Sequence, residues 1–238
     1  GDSGIGRAVA IAFAREGADV AIGYFNEHED ARETGRWVRA AGRRFLAFAG
    51  DVGDREHCRE LVRRTVEEFG RLDILVNNAA FQWETEDLAA LTPEQLERTF
   101  RTNIYACFWL AQAALEHMGP GSVILNTGSV TALEGNAGLL DYSATKGAIH
   151  VFTKSLARAL APRGIRVNCV APGPVWTPLI PASFSEEHVA GFGGDTVWGR
   201  PAQPAEIAPA FVFLASADSR YCTGEIFAPT GRVDATTR

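Results

Sequence analysis

Three side chains able to move a proton stand close together in this chain: Ser129, Tyr142 and Lys146. Tyr142 and Lys146 are four apart, so on a helix they share one face. Ser129 lies 13 residues before Tyr142, just past the apolar run Val123, Ile124, Leu125, which reads as the end of a buried strand. A phenol is a poor proton donor or acceptor near neutrality because its ordinary pKa is about 10. A fixed ammonium one turn away favours the phenolate. A shift of two or three units takes about 3–4 kcal/mol of differential interaction, which would suit a general acid/base. The spacing by itself equally suits a Tyr packed on a Lys stem at a helix surface, so the chemistry depends on the elements around it.

Those elements alternate. Segments of helical period at 5–16, 27–41, 54–69, 142–160 and 204–215 are interleaved with short apolar runs at 19–23, 45–49, 72–76, 123–126, 165–170 and 225–228. Glycines at 17, 42 and 70 read as helix stops. Thr92-Pro93-Glu94-Gln95 reads as a helix start with Thr as cap, and that helix runs to about residue 117 with a break near Asn103. Such alternation predicts an α/β fold, a doubly wound parallel sheet with helices on both faces. No repeat or linker interrupts the chain. Residues 1–238 therefore read as a single domain, with the Gly- and Pro-rich stretch 172–200 as a long loop over the substrate.

Candidate ligand positions fall where such sheets bind, at the carboxyl ends of strands. Gly4-Ile5-Gly6 opens the first helix, where glycines let a pyrophosphate sit on the helix N-terminus. Asp51-Val52 and Asn77-Asn78-Ala79-Ala80 follow strands. Pro172-Gly173 follows another, with Thr177 four residues on.

With these motifs in this order, the chain resembles the short-chain dehydrogenase/reductase family, over essentially all of its length. The glycine motif matches Gly1 to Gly6, the Asn-Asn-Ala-Gly motif matches Asn77 to Ala80 with Ala80 in place of Gly, and the Pro-Gly motif matches Pro172, Gly173 and Thr177. Ser129, Tyr142, Lys146 and the helix residue Asn103 match the catalytic set. The wording is most similar to the glucose/ribitol-dehydrogenase-like and general-stress oxidoreductases. The resemblance implies a Rossmann-type domain that passes a hydride between NAD(P) and a carbonyl or secondary alcohol. Tyr142 would be general acid/base and Ser129 a hydrogen-bond donor to the reacting oxygen. Lys146 would hold the nicotinamide ribose, and Asn103 a water leading to solvent. Ser3, Gly4, Ile5, Gly6, Tyr24, Asn26, Asp51, Val52, Asn77, Ala79, Tyr142, Lys146, Pro172, Gly173, Val175 and Thr177 would line the cofactor. The family's first strand is absent before Gly1, so the sequence is expected to belong to a longer chain. Pairing of the helices at 93–117 and 142–160, with Ile149, Val151 and Phe152 at the contact, would make a homodimer or homotetramer. A non-catalytic dinucleotide-binding regulator or an inactive assembly subunit on the same fold is the alternative. Retention of Asn103, Ser129, Tyr142 and Lys146 together argues for the enzyme.

In this family an acid at the end of the second strand selects NAD. Here that position is Tyr24, followed by Phe25, and Ser3 precedes Gly4. With no Asp to repel a 2′-phosphate, and Ser3 and Asn26 able to bond one, the balance leans to NADP, although Glu27 and Glu29 oppose it. Two further departures stand out. Gly128 sits where many relatives carry a second Ser, a change expected to matter little. Gly231-Arg232 replaces a Gly-Gly, so the tail is expected to pack differently.

The remaining composition narrows the field. A net charge of −6 argues against nucleic acid and anionic membranes as partners, and no apolar stretch approaches a membrane span. The four scattered cysteines fit reduced thiols and a cytoplasmic location, and the five histidines lack metal-ligand spacing, so no metal is expected. Trp176, Trp83, Trp198, Phe81, Gln82 and Leu139 are pocket candidates by position. Substrate identity is left open, because the pocket comes from loops.

Overall fold

A computed structural model describes residues 1–85 and 87–233. Its elements are α1 (Gly4–Arg15), β1 (Val20–Tyr24), α2 (His28–Ala40), β2 (Phe45–Ala49), α3 (Arg55–Phe69), β3 (Ile74–Asn77), α4 (Pro93–Phe100), α5 (Ala106–Ala114), β4 (Val123–Thr127), α6 (Thr131–Glu134), α7 (Leu140–Leu160), β5 (Arg166–Val170), α8 (Leu179–Ser183), α9 (Glu186–Gly191), α10 (Pro204–Ala215) and β6 (Ile226–Phe227). Among the described residues every strand pairing is parallel, as the alternation predicts. β4 is buried on both faces, the mark of a central parallel strand. One face carries α1, α2 and α10 around Val9, Phe13, Val38 and Phe211. The other carries α3, α5 and α7 around Val62, Leu110, Ile124 and Leu160.

Among the described residues the sheet is in two pieces: β1 with β2, and β3-β4-β5-β6 in that order. β1 and β3 do not pair. A cavity of about 480 Å³ lies between them, lined by Ile22, Leu75, Val9, Phe13 and Leu110 and reaching Gly1, Gly6 and Asn78.

The caps explain the boundaries. Asp54 accepts from the backbone N–H groups of Glu56 and His57 at the start of α3, and Gly70 ends that helix at φ +80. Thr92 caps α4 through the Gln95 N–H, with Pro93 next, as the sequence indicates. The Gln95 amide does not turn back to complete a capping box. It donates to Thr85 Oγ1 at 2.9 Å and to Asp141 Oδ2 at 3.3 Å. The break expected near Asn103 is a single π-helical turn over Arg101–Tyr105, between α4 and α5. Such turns recur at functional sites. The cysteines are free, and burial pushes the Cys58 and Cys169 thiols up to about 12 and Cys107 up to about 11. Among the described residues no helix is long and apolar enough to cross a membrane, and no metal-ligating cluster occurs.

Candidate active site

β4 delivers one half of the site and α7 the other. Beyond Thr127 the chain is held against the end of β5 by Gly128 N–H to Val170 O at 2.8 Å and Val130 N–H to Pro172 O at 2.9 Å. This fixes Ser129 between them. Its Oγ accepts from the Thr131 N–H at 3.1 Å and the Thr131 hydroxyl at 3.0 Å. With both acceptor positions used, its own proton remains to be donated. Tyr142 sits in the first turn of α7, and no described residue hydrogen-bonds its phenol oxygen. Lys146, one turn on, is 1% exposed. Its Nζ lies 5.3 Å from the Tyr142 ring centre and donates to Thr127 O at 2.7 Å. Among the described residues no carboxylate pairs with this buried ammonium, and two of its three protons are left to donate.

Asp141 is a contributor that the sequence reading missed. It is 3% exposed, accepts from Thr99 Oγ1 at 2.6 Å and from the Tyr142 N–H at 2.8 Å, and so locks the first turn of α7 to α4. A lone Asp beside a Tyr carries no spacing signal, and its partners lie on another helix.

Asn103 is fully buried, and its side chain is committed. Oδ1 accepts from the Phe81 N–H at 2.7 Å, and Nδ2 donates to Phe81 O at 2.8 Å and Thr145 Oγ1 at 3.0 Å. It thus clamps the loop after β3 to α7, with both amide protons committed and one acceptor position of Oδ1 left over.

Ser129, Tyr142, Ile5, Pro172, Gly173, Val175 and Thr177 line one cavity of about 480 Å³. Gln82 and Leu139 line it too, as expected by position. Trp83, Trp176, Trp198 and Phe81 are not in its lining. Trp176 is 41% exposed beside Phe192, and Phe81 lies under the Arg98 guanidinium. Loop position alone could not fix which way these rings turn.

The glycine-rich start fits a phosphate group. Gly4 has φ +51, and a Cβ there would lie 3.1 Å from Thr177, so only glycine brings the α1 N-terminus this close to the Pro172–Thr177 loop. A Cβ on Gly6 would come 3.0 Å from Gly1 Cα and 3.1 Å from Asn78 Nδ2. Ser3 caps α1 without a side-chain cap bond. Tyr24, at the end of β1, bonds His28 Nδ1 at 2.9 Å, while Asn26 is exposed and its N–H donates to Glu27 Oε2 at 3.1 Å. Asp51 accepts from the Gly53 N–H at 2.7 Å, and Val52 and Ala79 border the cavity beside β3. The Asn77 amide turns into the sheet, donating to Asn126 Oδ1 at 2.8 Å with its own Oδ1 unpartnered, and the residue borders that space.

His150, one turn beyond Lys146, is 7% exposed, and its Nε2 has no partner. Burial, with Lys146 and Lys154 adding, pushes its pKa down to about 4. The unfolded chain takes up this proton near 6.5, so the folded state loses stability as pH falls from about 6.5 towards 4. At pH 5 the loss is about 2 kcal/mol. Thermal unfolding at pH 7 and pH 5 should therefore show a smaller acid-induced fall in Tm for His150→Val than for the native chain. An equal fall would mean that His150 is not the titrating group.

Comparison with known proteins matches this geometry. The family model described as Enoyl-(Acyl carrier protein) reductase matches residues 1–231. General stress protein 39 of Bacillus subtilis is 56% identical over 94% of the chain and 79% of its own length. Glucose and ribitol dehydrogenase of Daucus carota is 52% identical over 97% of the chain and 81% of its own length. A short chain dehydrogenase from Burkholderia cenocepacia, solved in complex with NADP, superposes with a TM-score of 0.91 at 34% identity, covering 100% of this chain and 95% of its own.

Proposed function

The chain belongs to the short-chain dehydrogenase/reductase family of oxidoreductases, and from that premise we propose that it passes a hydride between NADP, in preference to NAD, and a carbonyl or secondary alcohol, with Tyr142 as general acid/base. The observation that carries the proposal is the convergence of Ser129 and Tyr142 on one cavity, with the buried Lys146 ammonium 5.3 Å from the phenol ring centre.

A nicotinamide bound at this cavity supplies or accepts the hydride. The chain handles the proton. Tyr142 gives it to the substrate oxygen during reduction and takes it back during oxidation. Ser129 donates its remaining proton to the same oxygen. The Lys146 ammonium stands 5.3 Å from the phenol ring centre, and its free protons suit ribose hydroxyls. Asn103 acts by holding Phe81 and Thr145 in place. Gly4, Ile5 and Gly6 seat the pyrophosphate on α1, faced by Pro172, Gly173, Val175 and Thr177. Ser3, Tyr24 and Asn26 would hold the adenosine ribose, Asp51 and Val52 the adenine, and Asn77 and Ala79 the nicotinamide ribose.

The lean to NADP is supported by the end of β1. No carboxylate stands at 24–26, the nearby Glu27 is engaged by the Asn26 N–H, and the Tyr24–His28 pair leaves one imidazole nitrogen for an oxyanion. The Burkholderia neighbour's NADP points the same way. The carrot relative's name directs the substrate towards sugars and polyols. Self-association through α5 and α7 is supported by exposed Tyr105, Phe108 and Val151, although Ile149, 2% exposed, belongs to the core and not to that surface.

The test is turnover. Full-length protein assayed with NADPH against a panel of aldehydes, ketoses and ketones should oxidise the cofactor saturably, and more slowly with NADH. No turnover on any carbonyl with either cofactor would remove the catalytic reading.

A further inference from the structure

The Gly231-Arg232 departure acquires a role once its partners are seen. Arg232 reaches across from the tail with two guanidinium nitrogens. One meets Glu134 Oε2 of α6 at 2.5 Å, and the other meets Asp195 of the 172–200 loop. Glu134 is five residues beyond Ser129. All three charged residues line the same cavity as Ser129 and Tyr142.

The tail that carries Arg232 is seated by its backbone. The Gly173 N–H donates to Pro229 O at 3.2 Å, and the Val197 N–H donates to Gly231 O at 2.9 Å. A Cβ on Gly173 would lie 2.1 Å from Thr230 O, so the approach needs glycine. The Arg232 N–H is itself held by Thr230 Oγ1 at 3.1 Å. A fixed backbone thus aims a two-ended cation at one carboxylate on the segment bearing Ser129 and another on the loop opposite.

The charge around the cavity also matters. Glu134, Glu187 and Asp195 line it against the single guanidinium of Arg232, and the His188 imidazole is engaged by Glu84 at 3.0 Å. An anionic substrate would meet a surplus of carboxylates and would have to displace them to reach Arg232. An uncharged one meets no such competition.

Resting on the dehydrogenase reading, we propose that Arg232 is a positioning and specificity residue: it fastens the loop around Asp195 to α6, shapes the substrate cavity, and restricts it to uncharged carbonyl compounds. Because the ion pairs are partly exposed, high salt loosens the fastening.

Hydrogen exchange on full-length, cofactor-free protein tests the fastening without any substrate. Arg232→Ala should raise amide exchange at 193–199 about tenfold. The double variant Glu134→Gln with Asp195→Asn, which leaves the tail residue in place, should do the same. Unchanged exchange in both overturns the proposal, whatever the enzyme does. Steady-state kinetics with NADPH test selection. Arg232→Ala should raise KM for an uncharged aldehyde about tenfold with kcat changed less than twofold, and Arg232→Lys should recover part of it. The double variant should improve kcat/KM for a 2-oxo acid relative to the aldehyde. A native chain that uses the 2-oxo acid as well as the aldehyde overturns the selectivity. A native chain with no carbonyl turnover overturns the dehydrogenase reading, and the exchange experiment still decides the fastening.

Discussion

Replacing Tyr142 with Phe should lower kcat by about 10³-fold while leaving the dissociation constant for NADPH within about twofold. The variant deletes one oxygen and keeps the ring that packs 5.3 Å from Lys146 Nζ, so the helix and its buried ammonium have no cause to rearrange. What disappears is the phenol hydroxyl that shares the cavity wall with Ser129 and to which the proton transfer is assigned. Stopped-flow hydride transfer and cofactor fluorescence, measured on one preparation, separate the two effects. A kcat within tenfold of the native value would mean that another group handles the proton. A parallel loss of NADPH affinity would mean that Tyr142 matters to the protein chiefly as a binding contact.

The second large effect is at Gly128, where the residue type looked unimportant in the sequence. A Cβ at this position would lie 2.3 Å from His150 Nε2 and 2.8 Å from Cys169 Sγ. Both neighbours are buried, and Gly128 is pinned by its N–H to Val170 O. Gly128→Ser should therefore destabilise the fold by about 1–3 kcal/mol, the usual range for overpacking, and disturb the adjacent Ser129. His150→Ala opens the space that the new side chain needs. The double variant should be more stable than the sum of the two single losses predicts, by more than about 1 kcal/mol. Additive losses in urea unfolding would show that the contact with His150 is not the cause.

Local periodicity and capping were enough for Phe45–Ala49, Pro204–Ala215 and the ends of α3, because Asp54 and Gly70 act on their own helix. The Tyr-Lys pair was equally legible, since one helical turn defines it. Short α6 and α8 were not, because four or five residues hold too little period to register. The side chains that escaped are those whose partners are distant in sequence. Gln95 and Thr99 turn to Asp141, Asn103 to Phe81, and Arg232 to carboxylates 98 and 37 residues away. Gly128 belongs with them. Its neighbour His150 is on another element, so the residue that dictates glycine there could not be named until the two were side by side.

The proposed reaction requires that a nicotinamide cofactor bind beside Ser129, Tyr142 and Lys146. The most direct measurement is fluorescence titration of full-length protein with NADPH and NADH in parallel. Saturable binding at micromolar concentrations is expected, tighter for NADPH, and preserved in Tyr142→Phe. Binding of neither cofactor to the folded native protein would contradict it.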